Sequence, residues 1–131
     1  MVNCNSQKNN TQNIKKPFFQ REWMMTSFNG FTKEELMESG AKIDLTNKEG
    51  NNYSASMGCN NLNFVAEIND KGTMKISDIM ATMMFCEGKM KLEQAFLSTF
   101  PKMNSYKIEG HVLTLSDGKG NSMKFVAADW D

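Results

Sequence analysis

Residues 78 to 90 read DIMATMMFCEGKM, a dense run of soft sulfur in a chain that carries 12 methionines among its 131 residues. Thioethers together with a thiolate suit a cation such as Cu(I) or Ag(I), so Met80, Met83, Met84, Cys86 and Met90 form a candidate soft-metal donor set. Methionine also fills irregular gaps in apolar interiors, and Met57, Met74 and Met123 fall on the inward phase of alternating segments. On that pattern Ile79, Met80, Met83 and Met84 are expected mostly in the core, with Cys86 near a helix start, and copper or silver binding is the alternative reading. No Cys-x-x-Cys or His-x-x-x-His spacing supports zinc, and no cofactor is expected.

Proton-transfer chemistry has little to work with. The single histidine, His111, directly follows Gly110 in a predicted hairpin turn and reads as a solvated turn residue. No Gly-x-Ser-x-Gly elbow is present, no glycine-rich phosphate loop follows a strand, and GKGNS at 118 to 122 reads as a turn. The carboxylates are scattered, without the paired placement that glycoside hydrolysis needs. The chain is therefore expected not to be an enzyme. With 15 Lys+Arg against 15 Asp+Glu, the formal charge is zero, and the counterion release that drives nucleic-acid binding has no global source.

At this length a single domain is expected. No apolar run approaches the ~18 residues that would span a bilayer. Met1-Val2-Asn3-Cys4 is followed by NSQKNNTQN, too polar to order itself. That is how a mature bacterial lipoprotein begins, which makes Cys4 a lipidation candidate; the other reading is an incidental cysteine in a tail. Residues 1–17, closed by Pro17, are expected to form a flexible tether, and 18–131 the domain.

The domain alternates. Strands are expected at Trp23 to Phe28, at Ala41 to Thr46 with Ile43 and Leu45 inward, and at Tyr53 to Met57 with Tyr53, Ala55 and Met57 inward. KEGNN at 48 to 52 is a hairpin turn between the last two. Leu62, Phe64, Ala66 and Ile68, the turn NDKG, then Met74 and Ile76 read as a second hairpin. Tyr106 and Ile108, Leu113 and Leu115, and Met123, Phe125 and Ala127 read as a three-stranded meander. FTKEELMES carries a capping box, Thr32 with Glu35 three residues on, and Gly40 ends that short helix. One amphipathic helix is expected in Gly88 to Phe100, with Leu92, Ala95, Phe96, Thr99 and Phe100 on one face and Pro101 as its stop. The fold class is therefore α+β: a strongly curved antiparallel sheet or open barrel of about seven to eight short strands, with one main helix packed on it.

SMGCNNLNF at 56 to 64, MATMMFCE at 80 to 87 and LEQAF at 92 to 96, in that order, resemble the META domain family, which includes the heat-inducible HslJ-type lipoproteins. Trp23, Gly30 and the closing pair with Leu113, Leu115 and Phe125 extend the resemblance over about residues 20 to 128. Its core motif is Gly58, Cys59 and Asn60 with Thr82, Met83 and Cys86. The resemblance implies a small α+β domain with no established catalytic activity, often anchored in the bacterial envelope, in the periplasm or at the outer membrane, and associated with heat-shock or antibiotic tolerance. A protein partner or a small apolar ligand is then the expected binding target, and the domain is expected to act as a monomer, touching membrane only through an N-terminal lipid.

With Cys4 set aside for lipid, Cys59 and Cys86 remain, an even number of the kind an oxidising periplasm favours. One precedes a predicted hairpin and the other follows it, so the sulfurs meet if both point to one face; otherwise they are two buried thiols. Closing that loop would contribute about 3–4 kcal/mol in the chain-entropy account. Gly58 is expected in a conformation that needs glycine, and Asn60 to hydrogen-bond main chain at a bulge or bend.

Overall fold

The structure is a computed structural model that describes residues 19–46 and 50–128. Cys4, the tether at 1–17 and part of the KEGNN turn lie outside these residues.

Eight strands form one antiparallel sheet: β1 (Glu22–Phe28), β2 (Lys42–Asp44), β3 (Asn52–Ser56), β4 (Asn61–Ile68), β5 (Met74–Ala81), β6 (Ser105–Glu109), β7 (Val112–Ser116) and β8 (Ser122–Ala127). Their order across the sheet is β5-β4-β3-β2-β1-β8-β7-β6. β1 is the hinge of this topology: it pairs with β2 on one side and with the last strand, β8, on the other. The two outer strands then curl round to meet. Thr73 bridges Ser105, Met74 N donates to Asn104 O at 3.1 Å, and Tyr106 N donates to Gly72 O at 2.8 Å. Gly72 makes this approach feasible, since its φ is +95° and a Cβ there would sit 3.2 Å from Tyr106 O. The result is an open barrel, pinned shut at one corner.

Among the described residues two helices join the sheet: α1 (Lys33–Ser39) and α2 (Met90–Thr99), the latter followed by a 3-10 turn at Phe100–Lys102 that contains Pro101. The capping box forms as the sequence predicts, with Glu35 N donating to Thr32 Oγ1 at 3.1 Å and Thr32 N donating to Glu35 Oε1 at 2.7 Å. Gly40 closes α1 in the left-handed region at φ +67°. α2 buries Leu92 and Phe96, and Phe96 stacks on Phe100, which meets the edge of Phe64 on β4 at 4.9 Å. Burial of this apolar stripe, worth roughly 1.5–3 kcal/mol per large side chain, is what fixes the helix to the sheet.

The inward residues expected of β2, β3, β4, β7 and β8 are buried, among them Ile43, Tyr53, Phe64, Leu113 and Phe125, except that Ile68 at the end of β4 is half-buried. The interior is filled: the void bounded by Ile43, Leu45, Phe64, Phe100, Leu113 and Leu115 has a volume of about 10 Å³. Two bulges adjust the alternation. On β1 the register against β8 slips between Met25 and Ser27, so Trp23 and Met25 face inward and then Phe28 does. On β5 the register against β4 slips by one between Ser77 and Met80, and Asp78 takes φ +52°, a left-handed conformation that Asp tolerates better than most residues.

The β5 bulge corrects one expectation. Met74 and Ile76 point inward, and unbroken alternation would put Met80 inward as well; the extra residue reverses the phase, so Ile79 and Ala81 turn toward the core and Met80 is 69 % exposed. Met83 and Met84 are likewise not in the core. They follow the strand, and they are 95 % and 52 % exposed, with Phe85 at 79 %.

Candidate functional site

The chain between β3 and β4 is Met57-Gly58-Cys59-Asn60, a four-residue connection across the Ser56–Asn61 pair rather than a bulge within a strand. Gly58 is required here twice over. Its φ is +105°, and a Cβ would lie 2.7 Å from the carbonyl oxygen of Ser39, so the connection packs backbone to backbone against the end of α1.

Asn60 follows, buried, and uses its whole hydrogen-bonding capacity. Its Nδ2 donates to Met84 O at 3.1 Å and to Glu93 Oε2 at 2.7 Å, while its Oδ1 accepts from Met84 N and from Thr82 Oγ1, each at 2.7 Å. Its backbone N–H donates to the other carboxylate oxygen of Glu93 at 2.9 Å. Thr82 in turn accepts from Asn61 N at 3.1 Å. One side chain thereby joins three pieces of chain: the β3–β4 connection, the segment after β5, and α2. Cys59 and Cys86 form a disulfide, with Cα atoms 5.8 Å apart, and tie the first two a second time. Just beyond it, Cys86 N donates to the Met90 thioether at 3.5 Å.

The sequence motifs divide accordingly. Gly58, Cys59, Asn60, Thr82 and Cys86 converge in this junction. Met83 does not: its side chain stands in solvent. Cys86 brings no thiolate to the soft-metal donor set, because its sulfur is in the disulfide. Glu93 is the member that the sequence reading missed. It lies beside Leu92 and one turn before Phe96, on the buried side of α2, a place where a carboxylate survives only with partners.

Beside the junction, four large apolar side chains, Met80, Met83, Met84 and Phe85, are exposed within six residues of sequence; we call them the apolar face. The 82–86 segment that carries most of them is irregular but fixed through its main chain, at Thr82, Met84 and Cys86.

Other polar groups play local roles. His111 sits in the β6–β7 turn and is half-buried rather than fully solvated, and its carbonyl accepts from Ala127 N at 2.9 Å. In the β7–β8 turn Asp117 accepts from Asn121 Nδ2 at 2.7 Å, from Lys119 N at 2.7 Å and from Asn121 N at 3.1 Å. The Asn121 side chain first, and the Lys119 backbone N–H second, hold the Asp117 carboxyl below its ordinary value. Burial raises the Tyr53 and Tyr106 phenols, and the nearby Asp70 carboxylate adds to the effect on Tyr106. Among the described residues no helix is long and apolar enough to cross a membrane.

Solved structures share this architecture. An NMR structure of a protein from Burkholderia xenovorans matches with a TM-score of 0.71 at 13 % identity, over 87 % of this chain and 86 % of that one. A second NMR structure gives 0.66 at 18 % identity, over 87 % and 94 %. The crystal structure of a DUF4847 family protein from Bacteroides vulgatus gives 0.65 at 16 % identity, over 90 % and 99 %. No curated protein matches the sequence. The META domain model matches residues 16–130, nearly the whole chain, and with the Gly-Cys-Asn and Thr-Met-x-x-Cys motifs meeting in one junction, the chain belongs to the META domain family.

Proposed function

We propose that this protein is a non-catalytic domain of the bacterial envelope, tethered through a lipid on Cys4, that contributes to stress or antibiotic tolerance by docking another protein on the face formed by Met80, Met83, Met84 and Phe85. The observation that carries the reading is the exposure of those side chains, 69, 95, 52 and 79 %, on a segment whose main chain is pinned. A cluster of large apolar side chains left in solvent costs solubility unless a partner covers it, and methionine adapts to varied apolar partners. Pre-fixing the segment lowers the ordering cost of association.

Three further features support parts of the proposal. The filled interior, with its void of about 10 Å³, favours a protein partner over a small apolar ligand inside the barrel. The disulfide suits an oxidising compartment such as the periplasm. The polar groups of the junction are engaged with one another rather than aimed at a substrate.

The test is genetic and chemical together. A photo-activatable methionine analogue at position 83 of the lipidated protein, irradiated in cells under heat or antibiotic stress, is expected to trap one defined protein, and Phe85→Ser is expected to abolish both trapping and tolerance at unchanged protein level. Full tolerance in cells carrying Met83→Ser and Phe85→Ser together would reject the docking face.

A further inference from the structure

Apart from the half-buried Met24 and Met90, the described methionines fall into two populations. Met25, Met57, Met74, Met103 and Met123 are between 0 and 8 % exposed, whereas Met37, Met80, Met83 and Met84 are between 52 and 95 % exposed. Within the described residues both cysteines are consumed by the Cys59–Cys86 bond, so no free thiol competes for a two-electron oxidant there, and the exposed thioethers are the softest nucleophiles it meets.

We propose that Met80, Met83 and Met84 form a reversible oxidation site for peroxide-class oxidants, which switches the apolar face to a polar one while the frame beneath it stays folded. The separation of frame from face carries the argument. Asn60 holds Met84 by its main-chain N and O, not by its side chain, and the disulfide and Thr82 hold the segment on either side. No hydrogen bond of the junction uses the sulfur of Met80, Met83 or Met84. Met90 is the contrast, half-buried and with its sulfur accepting from Cys86 N.

The step balances simply. A sulfur lone pair of the thioether attacks one oxygen of hydrogen peroxide; the O–O bond breaks, a sulfur–oxygen bond forms, and the second oxygen leaves as water. Sulfur is oxidised by two electrons and the peroxide is reduced by two. A thiol-dependent methionine sulfoxide reductase reverses it. Each sulfoxide replaces an apolar tip with a strong hydrogen-bond acceptor, so oxidation of this face would release an apolar partner. That consequence rests on the docking reading; the chemistry does not.

The test treats the whole chain with hydrogen peroxide and follows oxygen uptake residue by residue by peptide mass mapping, with retention on a phenyl column and the melting temperature measured on the same samples. The expected result is oxidation of Met80, Met83, Met84 and Met37 at least tenfold faster than of the five buried methionines, a fall in retention that reductase restores, and an unchanged melting temperature. In the Met80→Leu, Met83→Leu, Met84→Leu variant, Met37 should still take up oxygen and retention should fall far less than in the unsubstituted chain. Comparable rates in the two populations, melting on oxidation of the face, or an equal retention shift in the triple variant would each overturn the proposal. If the oxygen map is as expected but Phe85→Ser leaves tolerance intact, the docking reading fails and the oxidation site stands.

Discussion

Met84 belongs to two regions at once: its main chain is gripped by the Asn60 amide at 2.7 and 3.1 Å, and its side chain is 52 % exposed. On one side lies the junction, in which Gly58, Asn60, Thr82, Glu93 and the disulfide satisfy one another. On the other lies the face, in which Met80, Met83 and Phe85 touch little. The difference teaches that two neighbouring stretches of one motif can be specified for opposite reasons. Changes in the junction act through stability, because they strand buried polar groups or remove a cross-link. Changes in the face should leave stability nearly untouched.

Removing the cross-link is the hardest blow to that division. Cys59→Ala with Cys86→Ala opens a loop of sequence separation 27, and unfolding in denaturant should show a loss of about 3–4 kcal/mol; a loss under 1 kcal/mol would mean that the hydrogen bonds alone hold the junction. Asn60→Ala comes next. It leaves Met84 N, Met84 O and one Glu93 oxygen without their partner, and we expect about 2–3 kcal/mol of destabilisation with slower α2 docking. A loss no larger than that of an ordinary surface change would refute the junction as a structural node. Gly58→Ala combines a barred φ with the 2.7 Å approach to Ser39 O, and about 2 kcal/mol should be lost as strain, read as a lower melting temperature.

Met83→Ser should be nearly silent in the same assay, within about 0.5 kcal/mol. If it destabilised the fold as much as Asn60→Ala does, the face would be part of the frame. The smallest effect sharpens the comparison from elsewhere. Asp117 does in the β7–β8 turn what Asn60 does in the junction, but with a carboxylate whose pKa folding lowers from 3.8. Its contribution is complete above that unfolded value and is lost as pH falls through the lower folded one, so amide exchange at Lys119 and Asn121 should accelerate only in that acid window.

Much of this was legible in the residues. Alternation in Leu62 to Ile68 and Met123 to Ala127 marks the inward faces correctly, because a strand with one buried face has a fixed period. The Thr32 and Glu35 pair marks a helix start by local bonds alone, and Gly58 announces a backbone that other residues resist. The exposure of Met80 was hidden because a bulge adds one residue without any change in composition, and Asp78 looks like an ordinary polar position. Glu93 was hidden because its partner, Asn60, lies 33 residues away. Methionine itself is ambiguous, serving equally well inside and out, so its type alone does not place Met80, Met83 or Met84.

β1 pairs with β2 near its own end of the chain and with β8 at the other, Trp23 lying opposite Ala127. β1 to β5 can pair in chain order, yet one flank of β1 stays bare until the last strand joins it. For that interval the folding chain carries an open strand edge, with Trp23, Met25 and Phe28 on its inward face, of the sort that recruits other strands into aggregates. A chain truncated before Ser122 would keep that edge for good.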